Sequence, residues 1–227
     1  MSYKSHRISF PPGADYSKLT GCQKDMTAST WMYLHVHGRT RGILIGITMD
    51  EIKRIDRTLI TKGRVIDYYQ DTMQMPDGST VKWDLIDHVG AAAVVAVRED
   101  GKILMVRQYR NPLERQTLEI PAGKLDSKDE DPRNAAEREL AEETGYICDN
   151  IEYLTTIYTT VAFCNEKIGL FLAKGLKDRH PQHLDEDEYI DLEAYTLDEV
   201  RQMIYEGRIQ DSKTIVGILL YASKYHL

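Results

Sequence analysis

The sequence predicts a mixed α/β chain, an α/β (α+β) sandwich, and three observations carry the prediction. Strand-like apolar segments recur from residue 63 to residue 195, helix signals are few, and two of the helices fall together at the C-terminal end. Residues 63–73 and 80–87 read as strands joined by Met75-Pro76-Asp77-Gly78, which has strong turn chemistry. Gly90-Ala91-Ala92-Ala93-Val94-Val95-Ala96-Val97 reads as a buried strand, and Glu99-Asp100-Gly101-Lys102 turns it into a second strand at 103–108. A helix follows from Asp131, a good N-cap, with Pro132 at its first position and Gly145 just past its end. Residues 151–159, 166–173 and 189–195 read as further strands. Thr196-x-x-Glu199 is a capping box that opens a helix to about residue 206, and Asp211 caps a last amphipathic helix carrying Ile215, Ile218, Leu219 and Ala222.

At 227 residues the chain can bury a sizeable core, as one domain with appendages or as two small ones. A net charge of −7 argues against a nucleic-acid-binding surface. No apolar run is long enough for a membrane span. Cys22, Cys148 and Cys164 show no metal-ligand spacing and read as thiols of a reducing, cytoplasmic compartment. Residues 1–48 differ from the rest: they carry a net +4, so residues 49–227 carry −11. They lack the order of a signal peptide, and we expect a disordered extension or translated upstream sequence, with Met49 as the natural start. Residues 49–87 are then expected to form N-terminal strands and residues 88–227 the main domain.

The densest chemistry lies in Arg138-Glu139-Leu140-Ala141-Glu142-Glu143-Thr144-Gly145. On a helix, Glu139, Glu142 and Glu143 share one face, where like charges repel. A divalent cation converts that repulsion into binding, and oxygen-only ligands suit Mg²⁺ or Mn²⁺. Ala135, Ala136 and Leu140 give a narrow apolar stripe, so one side can pack while the acidic side faces a cleft. A solvated acidic helix is the plain alternative for an isolated E-x-x-E-E.

Upstream context decides between these readings. Gly123, Glu130, Arg138, Glu139, Leu140, Glu142, Glu143 and Gly145 together resemble the Nudix box: a glycine, a glutamate six on, then R-E-U-x-E-E-x-G-U with U aliphatic. The chain departs from it by one extra residue between Gly123 and Glu130, in a loop that tolerates length changes, and by Tyr146 at an aliphatic position. Arg107-Gln108-Tyr109-Arg110-Asn111-Pro112-Leu113-Glu114, the stretch 118–123 and the acidic cluster 184–188 look like the ADP-ribose pyrophosphatase branch of Nudix hydrolases, over roughly residues 51–225.

The resemblance implies a Nudix-like α/β/α sandwich, Mg²⁺ dependence, and a homodimer whose β-rich N-terminal segment contributes to dimerisation and to the partner's site. It implies cleavage of ADP-ribose, a small-molecule nucleotide sugar, to AMP and ribose 5-phosphate. Glu139 and Glu143 are the first expected metal ligands, with Glu142 sharing a second ion; the resemblance adds the Ala122 carbonyl and Glu188. Glu186 resembles the catalytic base, although Glu186 and Glu188 could exchange roles. Arg138 is expected to orient carboxylates rather than to touch substrate, and Glu130 to support them from behind. Arg110 is the expected phosphate or ribose contact, because a guanidinium fork reads phosphate bidentately. Glu119 is expected either to meet a ribose hydroxyl or to hold the box loop, and Trp83, with Tyr68 and Tyr69, is a candidate for adenine stacking or plain core. His88 reads as structural.

One departure bears on substrate. The branch usually has a proline sixteen residues past the box's last glycine, where this chain has Val161. GDP-mannose or another nucleotide sugar is therefore the nearest enzymatic alternative, and a non-catalytic nucleotide sensor is the alternative of another class. A sensor is expected to have lost the metal carboxylates, which are present here.

Overall fold

The structure is a computed structural model that describes residues 52–177, 180–184 and 189–227, together with the backbone of residues 33–36 and 39–42. The last two form an antiparallel pair, β1 (Tyr33–Val36) and β2 (Arg39–Gly42), inside the segment expected to be a disordered extension; the remainder of that segment lies outside the described residues. The chain divides into two units, residues 1–52 with 75–79, and residues 53–74 with 80–227. In the smaller unit, the turn that the sequence marks at Met75–Gly78 closes through Met75 N–H to the Ser79 carbonyl at 2.8 Å.

The larger unit begins with a three-stranded antiparallel sheet of β3 (Lys53–Lys62), β4 (Ile66–Gln74) and β5 (Thr80–His88). The pattern of β3 is broken by register shifts between Arg54 and Asp56 and between Leu59 and Thr61. Each shift moves the following side chains to the other face, so the strand shows no clean period-2 alternation in sequence.

The main sheet has seven strands. β6 (Ala91–Val97) and β7 (Ile103–Arg110) start as a hairpin, pairing at Ala96 with Leu104 and at Val97 with Ile103. They then diverge. Into the fork go β8 (Arg115–Glu119), which pairs with β7, and β9 (Ala122–Lys124), which pairs with β6. The Pro121 between them cannot donate to a ladder, and its carbonyl instead accepts from Val94 N–H at 2.9 Å. After α1 (Pro132–Thr144) come β10 (Ile147–Cys148), β11 (Ile151–Tyr158), β12 (Lys167–Ala173), β13 (Leu176–Lys177) and β14 (Ile190–Tyr195). β12 runs parallel to β6, β11 flanks β12, and β14 pairs with β7. The short pair β10–β13 stands apart.

β6 is buried on both faces, and alternate side chains feed two cores. Ala92, Val94 and Ala96 meet Ala135, Ala136 and Leu140 of α1. Ala93, Val95 and Val97 meet the other face, where α2 (Leu197–Tyr205) and α3 (Ser212–Lys224) supply Val200, Met203, Ile218 and Tyr221. Helices therefore cover both faces of the sheet, which is the expected α/β/α sandwich. The helix starts follow the sequence signals. Asp131 accepts from Arg133 N–H, Thr196 and Glu199 form the full capping box, and Asp211 accepts from Thr214 N–H. Among the described residues no helix is long and apolar enough to cross a membrane.

Candidate active site

The fork between β6 and β7 creates the site. It delivers Ala122 and Gly123 to the sheet position against which α1 lays its acidic side. Glu139 and Glu143 are buried, at 8% and 2% exposure, while Glu142 remains half-exposed. Gly123 is the other half of the fit: a Cβ built there lies 2.1 Å from the carboxyl carbon of Glu139. Only glycine leaves room for that carboxylate. Ala122 N–H donates to Glu143 Oε2 at 2.9 Å, joining the loop to the helix a second time.

Arg138 is spread over the acidic surroundings. Its Nη1 donates to Glu139 Oε1 at 2.6 Å and to Glu142 Oε2 at 3.2 Å, and its Nη2 donates to the Lys124 carbonyl at 3.1 Å. Glu130 lies 3.6 Å and Asp126 3.9 Å from the same guanidinium. Burial opposes the guanidinium's charge, but these carboxylates outweigh it and hold its pKa above the ordinary value. Glu130 in turn accepts from Asp126 N–H at 2.6 Å, so the longer box loop is closed on itself.

The C-terminal end of α1 is tied to the segment that precedes the acidic cluster. His183 N–H donates to the Glu142 carbonyl at 3.0 Å, the Gln182 side chain to the Glu143 carbonyl at 2.5 Å, and His180 N–H to the Gly145 carbonyl at 2.8 Å. Gly145 has φ +75°, and a Cβ there would sit 2.0 Å from the His180 carbonyl oxygen, so glycine ends the helix and admits this segment. Glu186 and Glu188 lie outside the described residues.

Arg110 and Glu119 come together on the neighbouring strands. Arg110 donates from Nε to Glu119 Oε1 at 2.9 Å and from Nη2 to Glu119 Oε2 at 2.6 Å. Thr117 Oγ1 donates to Glu119 Oε1 at 2.6 Å, and Lys213 Nζ donates to Oε2. Burial pushes the Glu119 carboxyl up, but Arg110 and Lys213 overcome it and hold the pKa at about 2. Arg110 is itself raised, chiefly by its bonds to Glu119, and it also feels the charge of Glu143. The Arg110–Glu119 pair thus adjoins the acidic helix face.

Trp83 sits elsewhere, on the three-stranded sheet, 46% exposed and opposite Asp71, which Arg57 grips at 2.7 Å through two bonds. Val161 is at an exposed turn. The turn is fixed to β5 by Ile86 N–H to the Phe163 carbonyl at 2.7 Å and Asn165 N–H to the Ile86 carbonyl at 3.2 Å. The His88 side chain is mostly buried, and its Nδ1 accepts from Gly90 N–H at 3.0 Å. Cys148 and Cys164 are free thiols, and Cys22 lies outside the described residues.

Sequence reasoning did not find Lys213, Thr214 or Gln182. Thr214 Oγ1 accepts from Ile120 N–H at 2.9 Å and donates to Asp211 Oδ2 at 2.6 Å. A signal for Lys213 existed. It falls in the first turn of a helix, where a cation opposes the helix dipole unless an anion faces it.

The donor set fits a hard divalent ion: oxygen-only carboxylates, buried beside a loop that a glycine keeps open. Among the described residues, however, no three acidic, histidine or cysteine side chains already converge as a finished cage.

Residues 87–215 match the family model for the NUDIX domain. The chain is 41% identical over 169 residues to the ADP-ribose pyrophosphatase of Bacillus subtilis (strain 168), covering 74% of this chain and 91% of the relative. It is 48% identical over 169 residues, with the same coverage, to the methanol dehydrogenase activator of Bacillus methanolicus. A solved structure described as an ADP compounds hydrolase superposes with a TM-score of 0.69 at 17% identity, over 79% of this chain and 96% of that one. The fold is thus that of a pyrophosphate-cleaving class, and this chain belongs to the Nudix family, as a Nudix hydrolase of the ADP-ribose pyrophosphatase branch.

Proposed function

We propose that the protein hydrolyses the pyrophosphate bond of ADP-ribose to AMP and ribose 5-phosphate with Mg²⁺ or Mn²⁺. One observation carries this reading: Glu139 and Glu143 are buried against the Ala122–Gly123 loop, where Gly123 leaves space for a carboxylate. Glu139, Glu142, Glu143, the Ala122 carbonyl and Glu188 would hold the ion. When bound, it would offset the charge of the diphosphate and lower the pKa of an attacking water. Glu186 would accept that water's proton, because a carboxylate on the metal is a poor base. Arg110 would donate to the diphosphate from Nη1, the edge that Glu119 does not take.

Residues 1–48 would form an extension outside the catalytic domain, and residues 49–87 would contribute to a homodimer. Exposed Ile55, Leu59 and Ile60 on β3, with Val81 and Trp83 on β5, support such a contact. A cytoplasmic setting accords with the cysteine usage.

The deciding experiment is a turnover panel with Mg²⁺: ADP-ribose, GDP-mannose, other nucleotide sugars and diadenosine polyphosphates. ADP-ribose is expected to give the highest kcat/KM, and excess chelator to abolish it. A preference for GDP-mannose would replace the substrate assignment, and full turnover in chelator would sink the metal mechanism. The likeness to a methanol dehydrogenase activator favours a second reading, in which the same hydrolysis serves to activate a dehydrogenase. Adding the chain to methanol dehydrogenase and following alcohol oxidation tests it.

A further inference from the structure

The proposed catalysis makes no use of Lys213, although among the described residues it is the one buried cationic residue. Its residue exposure is 7%, and its ammonium contacts Glu119 Oε2 and, at 3.1 Å, Asp211 Oδ2. A buried lysine loses hydration and side-chain entropy, and here it also stands in the first turn of α3 against the helix dipole. Its anionic partners offset those costs, so its position needs an explanation beyond packing.

The network supplies one. Arg110 and Lys213 face Glu119 and Asp211, two cations against two anions. The same helix start holds the Glu119–Ile120 corner through Thr214, and that corner leads directly into Ala122 and Gly123. Without Lys213, Glu119 would have Arg110 as its one cationic partner in a buried setting. The guanidinium's charge would then be spent inside the protein. With Lys213 sharing Glu119, the fork of Arg110 is fixed in orientation while its charge still acts outward.

We propose that Lys213 is a positioning residue for substrate binding: its buried ammonium shares Glu119 with Arg110, so that Arg110 is held rigid and electrostatically available to a diphosphate. The proposal rests on the reading of Arg110 as the diphosphate contact.

The test uses Lys213→Met and Lys213→Arg in the full chain, with ADP binding by isothermal titration and ADP-ribose turnover as readouts. Lys213→Met is expected to weaken ADP and to raise KM by about tenfold, with kcat within about threefold, the pattern of lost uniform binding. Lys213→Arg is expected to recover part of the loss. Adding Lys213→Met to Arg110→Ala is expected to cost little more, because both act on one contact. A folded Lys213→Met protein with unchanged ADP affinity and KM, or with effects that add fully to Arg110→Ala, would overturn the proposal. If Lys213→Met does not fold, Lys213→Gln carries the same expectation; failure of both to fold would make Lys213 a stability residue only and reject the idea. The two readings separate cleanly. ADP binding without ADP-ribose turnover would remove the substrate assignment and leave Lys213 to be judged on ADP alone. No ADP binding by the wild type would remove both Arg110's role and this one.

Discussion

Glu119 and Glu143 are equally buried, at 2% exposure each, yet the chain surrounds them differently. Glu119 meets two cationic side chains and a hydroxyl, all from this protein. Glu143 stands on a helix face with Glu139 and Glu142, where Arg138 is divided among Glu139, Glu142, Glu130 and Asp126 and Arg110 feels the charge of Glu143. Burying a carboxylate is costly unless it is paired. The first cluster carries its counter-charge in its own sequence. The second gathers three carboxylates along one helix face, the oxygen donor set that the proposed divalent ion would use. The contrast sets a carboxylate held by its own chain beside carboxylates proposed as metal ligands.

The contrast breaks most visibly at Glu143. Glu143→Gln keeps the size of the side chain and an oxygen that can accept from Ala122 N–H, so the thermal midpoint is expected to stay within about 3 °C of wild type. A neutral amide holds Mg²⁺ poorly, and losing several kcal/mol of transition-state stabilisation lowers kcat by roughly 10²–10⁴-fold. Near-normal turnover would rule out Glu143 as a ligand.

Gly123→Ala sharpens the same point without touching any charge. The added methyl group meets the end of the Glu139 side chain, which can swing away, so stability should change little. The displaced carboxylate should raise the Mg²⁺ concentration needed for half-maximal activity, and cut turnover by roughly 10–100-fold, in the range seen for groups that orient metal ligands. Unaltered metal dependence would show that the close fit of Gly123 and Glu139 has no part in binding the ion.

The acidic helix was legible in the sequence because its signals are local. An N-cap, a proline, an i, i+3, i+4 carboxylate set and a terminal glycine all lie within fifteen residues. β6 and the capping box of α2 were legible for the same reason. β8 and β9 were not: they are five and three residues long, they flank Pro121, and they exist because β6 and β7 part to admit them. β3 lies inside the stretch 49–87 expected to form strands, but its two register shifts left its limits unmarked in the sequence. The Glu119 cluster was hidden by distance, since Lys213 is 94 residues from its partner and no spacing rule links them. Arg110 and Glu119 were each singled out from sequence as substrate candidates; that they bind each other is a fact of the fold.

The Glu119 region makes the smallest prediction, and its direction follows from the sign of one shift. Glu119 has a folded pKa of about 2 against an ordinary 4.5, because Arg110 and Lys213 favour its ionised form more than burial disfavours it. A depressed carboxyl contributes stability that is fully present above pH 4.5 and is lost as pH falls through 4.5 toward 2. Between about pH 6 and about pH 3.5 that loss is one pH unit's worth, ~1.4 kcal/mol or about tenfold in the folding constant. Glu119→Gln cannot titrate. It should be less stable than wild type at neutral pH, because Lys213 and Arg110 lose a buried anion. The gap to wild type should then narrow by that ~1.4 kcal/mol as the solution is acidified. Urea unfolding of both proteins at the two pH values reads this directly. Parallel decline of the two would mean that Glu119 is not held ionised by its neighbours, and the opposition between an internally balanced carboxylate and a metal-seeking one would lose its first term.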